Sequence, residues 1–253
     1  SRSQLLRPYP HFTGVSSNQN VGYSWYHSMQ VRLERRFSAG LNANLSYTWS
    51  KMMEAVSFLN STDPMPEEVI SGQDRTHRLA ITWLYELPFG RGKPWINSAR
   101  PAALKIVGGW QLQGIYTAQS GAALGFGDAI FLGDLKNIPL PRNQRSPDRW
   151  FNTDAGFDKV TANQRVANLR FMPSRFSGVR SDGPNNWDLS VIKNTSIREK
   201  VTVQFRAEAI NAFNHPQFTP GSVNTTPTST AFGRTTLEFA WPRVIQFGLK
   251  ALF

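Results

Sequence analysis

At 253 residues and 40% hydrophobic content, the chain is long enough for one large all-β domain or two small ones, and it is not a disordered polymer. Eight tryptophans and a 12% aromatic share stand against only 18% charged residues, so aromatic surface is abundant where a soluble protein carries Lys and Glu. A transmembrane helix is excluded by the lack of any apolar run of about 18 residues, cysteine chemistry by the zero cysteine count, and a nucleic-acid patch by the even spread of the +11 net charge.

Residues 1–23 read as an N-terminal loop segment, and Ser1–Pro10 lacks the charged-then-apolar layout of a signal peptide. From Trp25 to Phe37 the sequence has period two: Trp25, Met29, Val31, Leu33 and Phe37 share one face, and Tyr26, Ser28, Gln30, Arg32, Glu34 and Arg36 the other, with His27 and Arg35 as exceptions on the apolar side. Leu41 to Met52 alternates more cleanly, with Leu41, Ala43, Leu45, Tyr47 and Trp49 opposite Asn42, Asn44, Ser46, Thr48 and Ser50. A long loop over 53–76 follows. The apolar sets then run Leu79, Ile81, Trp83, Tyr85, Leu87; Trp110, Leu112, Gly114, Tyr116; Trp187, Leu189, Val191; Val201, Val203, Phe205, Ala207, Ala209; and Ile245, Phe247, Leu249, Ala251, Phe253. A medium connection from Pro88 to Gly108, a very long loop over 121–185, a short turn around Arg198 and a long loop over 212–241 separate them.

Alternation alone does not distinguish a soluble sandwich from a membrane barrel, because both have one apolar face. Length and loop spacing do. Strands of about ten residues match tilted transmembrane strands, whereas soluble strands run about five or six. Short turns on one side and long loops on the other are the layout of an outer-membrane barrel, with Trp25, Trp49, Trp110 and Trp187 near segment ends as an interfacial girdle. The predicted fold is therefore all-β, an antiparallel transmembrane β-barrel segment of about seven strands over 24–253. Phe253 is placed at the periplasmic side, and the medium connection is the one misfit. Seven strands do not close a bacterial barrel of even strand number, so the segment is expected to belong to a larger barrel whose other strands cover its two edges.

In this reading Leu45, Tyr47, Leu79, Ile81, Trp83, Val203, Phe205, Phe247 and Leu249 face lipid. Asn44, Ser46, Gln111, Gln204, Arg206, Glu208 and Gln246 face the lumen, where Gln111, Gln113, Gln204, Arg206 and Glu208 are the ligand-facing candidates. The loop over 121–185 mixes arginines with aromatics, and Arg145, Arg149, Trp150 and Phe151 are its binding candidates. A loop folded on its own small core and touching lipopolysaccharide fits the same composition.

Signals for chemistry are sparse. His11, His27, His77 and His215 lack metal-ligand spacing, and the acidic stretch of Asp63, Glu67, Glu68 and Asp74 reads as a solvated loop in preference to a calcium site. Gly125-Phe126-Gly127 and Gly90-Arg91-Gly92-Lys93 are turns without the features of a phosphate loop, and no Ser/His/Asp ordering accompanies a nucleophile elbow. Neither enzymatic activity nor a cofactor is expected.

The wording of several blocks is specific. Ser28-Met29-Gln30-Val31-Arg32-Leu33-Glu34-Arg35-Arg36-Phe37, Leu45-Ser46-Tyr47-Thr48-Trp49-Ser50-Lys51, Tyr85-Glu86-Leu87-Pro88-Phe89-Gly90-Arg91-Gly92-Lys93, Asp148-Arg149-Trp150-Phe151-Asn152 and Asn211-Ala212-Phe213-Asn214-His215-Pro216 follow in order. This series resembles the C-terminal part of the barrel of Oar-like TonB-dependent transporters, over roughly Ser24 to Phe253. The resemblance implies a barrel of about 22 strands with a plug, energy from TonB, and an insertion signal ending in Phe247, Leu249 and Phe253. The family's plug, TonB box and N-terminal carboxypeptidase-regulatory-like domain lie upstream of the matching region and are expected from sequence outside it or from a second chain. The leading expectation for function is passage of a solute across the outer membrane. A structural or secretion-associated barrel and a soluble all-β ligand-binding module are the alternatives.

Overall fold

The structure is a computed structural model describing residues 5, 9–12, 20–98, 100–164, 169–198, 201–219, 221–239 and 241–253. Ten strands and one short α-helix occur in the order β1 (Tyr23–Ser38), β2 (Leu41–Ala55), β3 (Val69–Ile70), β4 (His77–Glu86), α1 (Pro101–Val107), β5 (Trp110–Gln119), β6 (Ala123–Leu124), β7 (Phe176–Arg180), β8 (Asn185–Arg198), β9 (Val201–Ile210) and β10 (Val244–Leu252). Seven long strands, β1, β2, β4, β5, β8, β9 and β10, form one sheet in chain order. Every pairing is antiparallel. β3 adds to the far end of β2, and β6 pairs with β7 in a separate ribbon.

This is the seven-strand meander that the alternation predicts, with wider limits: β2 runs on through Ala55, and β8 extends from Asn185 to Arg198. Four of the seven strands have nine or ten residues. At about 3.3 Å per residue and a tilt near 45°, ten residues rise about 23 Å along a membrane normal, close to the ~25 Å apolar band of outer-membrane barrels. The sheet is open, with β1 and β10 as its edges.

Register turns seven separate alternations into two continuous faces. Directly opposed residues of antiparallel strands share a face, and Ala43, Trp83, Gly114, Leu189, Ala209 and Ile245 follow one another across six strands. The neighbouring row is Leu41, Tyr85, Leu112, Val191, Ala207 and Phe247. On the opposite face run Asn42, Leu84, Gln113, Ser190, Glu208 and Gln246. A slip of one residue in any pair would mix the two faces. Gly114 leaves room for the Trp83 ring beside it: a Cβ there would lie 2.5 Å from the indole. The β1–β2 turn places both Ala39 (φ 52) and Gly40 (φ 82) at positive φ, the twist a two-residue hairpin requires.

The buried core lies in the outer loops, away from the sheet. Leu124, Phe126, Ile138, Phe151, Phe157, Met172, Val179 and Val223 cluster together, with Trp150, Phe176 and Phe232 packed against them. These side chains come from the β5–β8 and β9–β10 connections, which thus fold as one cap. The β4–β5 connection, the medium-length misfit among the predicted connections, contains α1; seven residues are too few to show helical periodicity against a strand background.

Candidate functional site

Two regions hold the candidate functional side chains, the polar face of the sheet and the cap. On the polar face, β8, β9 and β10 carry a chain of side-chain contacts. Gln204 Nε2 donates to Asn194 Oδ1 at 2.8 Å, and Arg206 Nε donates to Gln204 Oε1 at 2.8 Å. Arg206 lies 3.7 Å from Glu208, whose other oxygen accepts from Gln246 Nε2 at 2.5 Å. Three of the predicted lumen candidates, Gln204, Arg206 and Glu208, are thereby joined. Gln111 stands apart near the short-turn end, donating to Glu86 Oε1 at 3.1 Å, while Lys93 donates to the other Glu86 oxygen at 2.8 Å. Gln113 sits between Leu84 and Ser190 in the polar row.

The apolar face has the opposite character. Phe247 is 72% exposed and Leu249 77%, and Leu33, Met29 and Phe205 also stand out from the sheet. A large apolar side chain left in water forgoes roughly 1.5–3 kcal/mol, so a whole face of them requires an apolar medium or partner. Aromatic pairs reinforce this face: Tyr116 stacks on Trp187 at 4.4 Å, and Phe205 on Phe247 at 6.1 Å.

The cap assigns the outer-loop candidates to different jobs. Phe151 is 0% exposed, with edge contacts to Phe126 at 5.1 Å and Phe232 at 5.2 Å, so it packs the cap and has no surface to offer a ligand. Trp150 donates its indole N–H to the Arg180 carbonyl at 2.7 Å and also faces inward. Arg145 is half-buried and donates to the Leu140 carbonyl at 2.8 Å; desolvation and the nearby Arg142 lower its pKa. Arg149 remains exposed. The loop thus has a small core of its own.

Arginines of this loop act as ties between loops. Arg180 Nη2 meets Asp74 Oδ2 at 2.7 Å, and the Asp74 side chain is fully buried, also accepting from Met52 N at 2.7 Å and Thr76 Oγ1 at 3.0 Å. Arg175 pairs with Glu54 and donates to the Ile70 carbonyl at 2.7 Å, and the Arg170 backbone N–H donates to Asn60 Oδ1 at 2.7 Å. The acidic stretch is solvated only in part: Asp74 is buried, Asp63 and Glu67 are half-buried and Glu68 is exposed. Glu67 accepts from Ser174 N at 3.0 Å, Glu68 accepts from Tyr23 Oη at 2.6 Å, and Asp63 accepts from Asn60 N at 2.7 Å. Each acid has a separate structural partner, and among the described residues no group of three metal-ligating side chains converges.

An antiparallel meander with one apolar and one polar face, capped on one side by long loops, is matched by the profile of the outer membrane beta barrel domain over residues 1–246. The chain belongs to that family. No curated protein matches the chain, and no solved structure matches it. Family membership places this barrel domain in the bacterial outer membrane, where the expected arrangement sets lipid against the apolar rows and the aqueous lumen against the polar ones. In outer-membrane barrels the short turns lie at the periplasmic end and the long loops outside the cell, so the expected placement has the β1–β2 turn in the periplasm and the cap outside.

Sequence reasoning missed Asp74 and Arg180 as partners. They lie 106 residues apart, and only the sign of their charges hinted at a pairing. For the barrel wall, Phe205→Arg is expected to destabilise the folded barrel by about 2 to 4 kcal/mol near the midplane, with Gln204→Arg tolerated. Denaturant unfolding of the two variants checks this; equal losses would remove the assignment of faces.

Proposed function

We propose that this barrel domain forms part of the wall of a TonB-dependent transporter that passes a solute across the outer membrane, with the plug and the remaining strands supplied by other sequence. The single observation carrying the reading is the linked polar row Asn194, Gln204, Arg206, Glu208 and Gln246 on the lumen face. A barrel that only anchors or supports needs a water-compatible interior, and small neutral side chains suffice for that. Interlinked Arg, Glu and Gln side chains offer donors and acceptors to a polar solute or to a plug surface. The ordered sequence blocks from Ser28 to Pro216 that resemble Oar-like transporters support the same conclusion.

Both edges of the sheet agree with a larger ring. β1 and β10 each present unpaired backbone groups on one side, and in hydrocarbon each such group costs several kcal/mol. Strands from the rest of the barrel satisfy them. The reading assigns no reaction and no cofactor to the chain. Its partners are lipid and lipopolysaccharide around the wall, the plug within it, TonB through the plug, and a solute that this stretch of sequence does not name.

The assembly containing this chain, isolated from native outer membranes and cross-linked in cells, tests the proposal. A plug in the same assembly, cross-linking to TonB, with solute passage lost when TonB is removed, is the expected result. An assembly without a plug or TonB contact would overturn transport and leave the structural or secretion-associated barrel.

A further inference from the structure

The β4–β5 connection breaks the pattern of short periplasmic turns, and its composition is one-sided. Residues 87–109 contain Arg91, Lys93, Arg100 and Lys105 but no Asp or Glu. Lys93 is engaged with Glu86 on the lumen side; among the described residues the other three cations form no ion pair. Apolar side chains of the same segment also face outward: Ile106 is 70% exposed, Trp95 60%, and α1 buries none of its residues.

Two side chains fix where α1 lies. Trp110 and Lys193 are directly paired and belong to the apolar face. The Trp110 indole N–H donates to the Ile106 carbonyl at 2.9 Å. Lys193 Nζ donates to the Lys105 carbonyl at 2.7 Å and to that of Gly108, placing an ammonium at the negative end of the helix. The same ammonium stands 5.6 Å from the Trp110 ring centre. The helix is thus pinned to the lipid side of the barrel rim, where Ile106 continues the apolar face beyond the last strand residues. Beside it opens a cleft of about 740 Å³, lined by Phe89, Arg91, Leu104, Lys105 and Lys193 and reaching the polar face at Glu86, whose carboxylate is held by Lys93 and Gln111.

Cations beside exposed aromatic and aliphatic groups at a membrane boundary suit an anionic headgroup above acyl chains. We propose that the β4–β5 connection is a binding site for an anionic glycerophospholipid of the inner leaflet, with Arg91 and Lys105 on the headgroup phosphate and the acyl chains along Leu104, Ile106 and the lipid face of β5 and β8. Charge complementarity and continuity with the lipid-facing rows select this occupant. The inference depends on the membrane placement of the barrel and not on what passes through it.

Because the chain has no cysteine, single-site labels in the native assembly test the site. Three results are expected. A nitroxide at Ile106→Cys is reached by oxygen more readily than by a water-soluble relaxant, and one at Gly92→Cys shows the reverse. In nanodiscs of phosphatidylethanolamine with 30% phosphatidylglycerol (a chosen probe composition of about one anionic lipid in three), the wild-type assembly enriches phosphatidylglycerol, and Arg91→Gln with Lys105→Gln lowers that enrichment on the order of tenfold. Phosphatidylethanolamine retention and heat-modifiable mobility, which reports folding, stay unchanged. The proposal is overturned if Ile106→Cys is as water-accessible as Gly92→Cys, or if the folded double variant keeps its phosphatidylglycerol. Modification of Gly92→Cys by an impermeant maleimide in intact cells would also overturn it, by placing the connection on the lipopolysaccharide side.

Discussion

Phe151→Ala is expected to lower the stability of the loop cap by about 3 to 5 kcal/mol, the cost of removing a fully buried ring whose neighbours do not collapse into the space. The ring meets Phe126 and Phe232 edge-on, and Phe157 lies 6.2 Å away, so three aromatic side chains lose a shared centre. Phe171 provides the control from the same loop: it is 90% exposed, and its replacement by Ala should stay within about 0.5 kcal/mol. Hydrogen exchange of cap amides reports the opening free energy of each variant. Similar losses from the two changes would mean that the cap has no packed core.

The second large effect concerns the tie between loops. Asp74→Ala leaves the Arg180 guanidinium without its carboxylate and removes the acceptor for Met52 N and Thr76 Oγ1. Breaking a buried ion pair from one side costs about 3 to 5 kcal/mol, because the remaining charge is desolvated and unpaired. Replacing both members, as Asp74→Leu with Arg180→Met, should recover much of the loss, since apolar side chains of similar volume carry no desolvation cost. Protease susceptibility of the β2–β4 and β5–β8 connections, measured across denaturant, distinguishes the single from the double variant. A loss under about 1 kcal/mol for Asp74→Ala would show that the pair is effectively solvated.

The strands were legible in the sequence because a half-lipid, half-water environment writes a period of two into each of them. Leu45, Tyr47 and Trp49 against Ser46, Thr48 and Ser50 leave little choice of face, and each opposed pair then fixes the next strand's register. The cap was not legible. Its core joins Leu124, Phe151, Phe157 and Val223, which follow no period, and its ties join Arg175 to Glu54 and Arg180 to Asp74 across more than 100 residues. Composition announced the arginines and aromatics as a pair of residue types without saying that Phe151 turns inward and Arg149 outward. α1 was hidden for a related reason: two helical turns among glycines and prolines resemble a loop, and only the hydrogen bonds from Trp110 and Lys193 show what the segment does.

Among the candidate residues, Gln204, Arg206 and Glu208 were accessible to sequence reasoning because they interrupt an apolar alternation with long polar side chains. Their linkage through Asn194 and Gln246 was not, since it depends on cross-strand register in β8, β9 and β10. The same register places Phe205 beside Leu249 and Ala207 beside Phe247, so the lipid side of these strands is equally specified.

The central claim is that one face of this sheet meets lipid and the other an aqueous lumen, and alternation along β2 tests it most directly. Single nitroxides at Asn44, Leu45, Ser46 and Tyr47, introduced into the cysteine-free chain in native outer membranes, should report two environments in strict alternation. Leu45 and Tyr47 are predicted to be relaxed by oxygen, and Asn44 and Ser46 by a water-soluble agent. Equal water accessibility at all four sites, or shielding of Leu45 and Tyr47 from both agents as in a closed protein core, would contradict it.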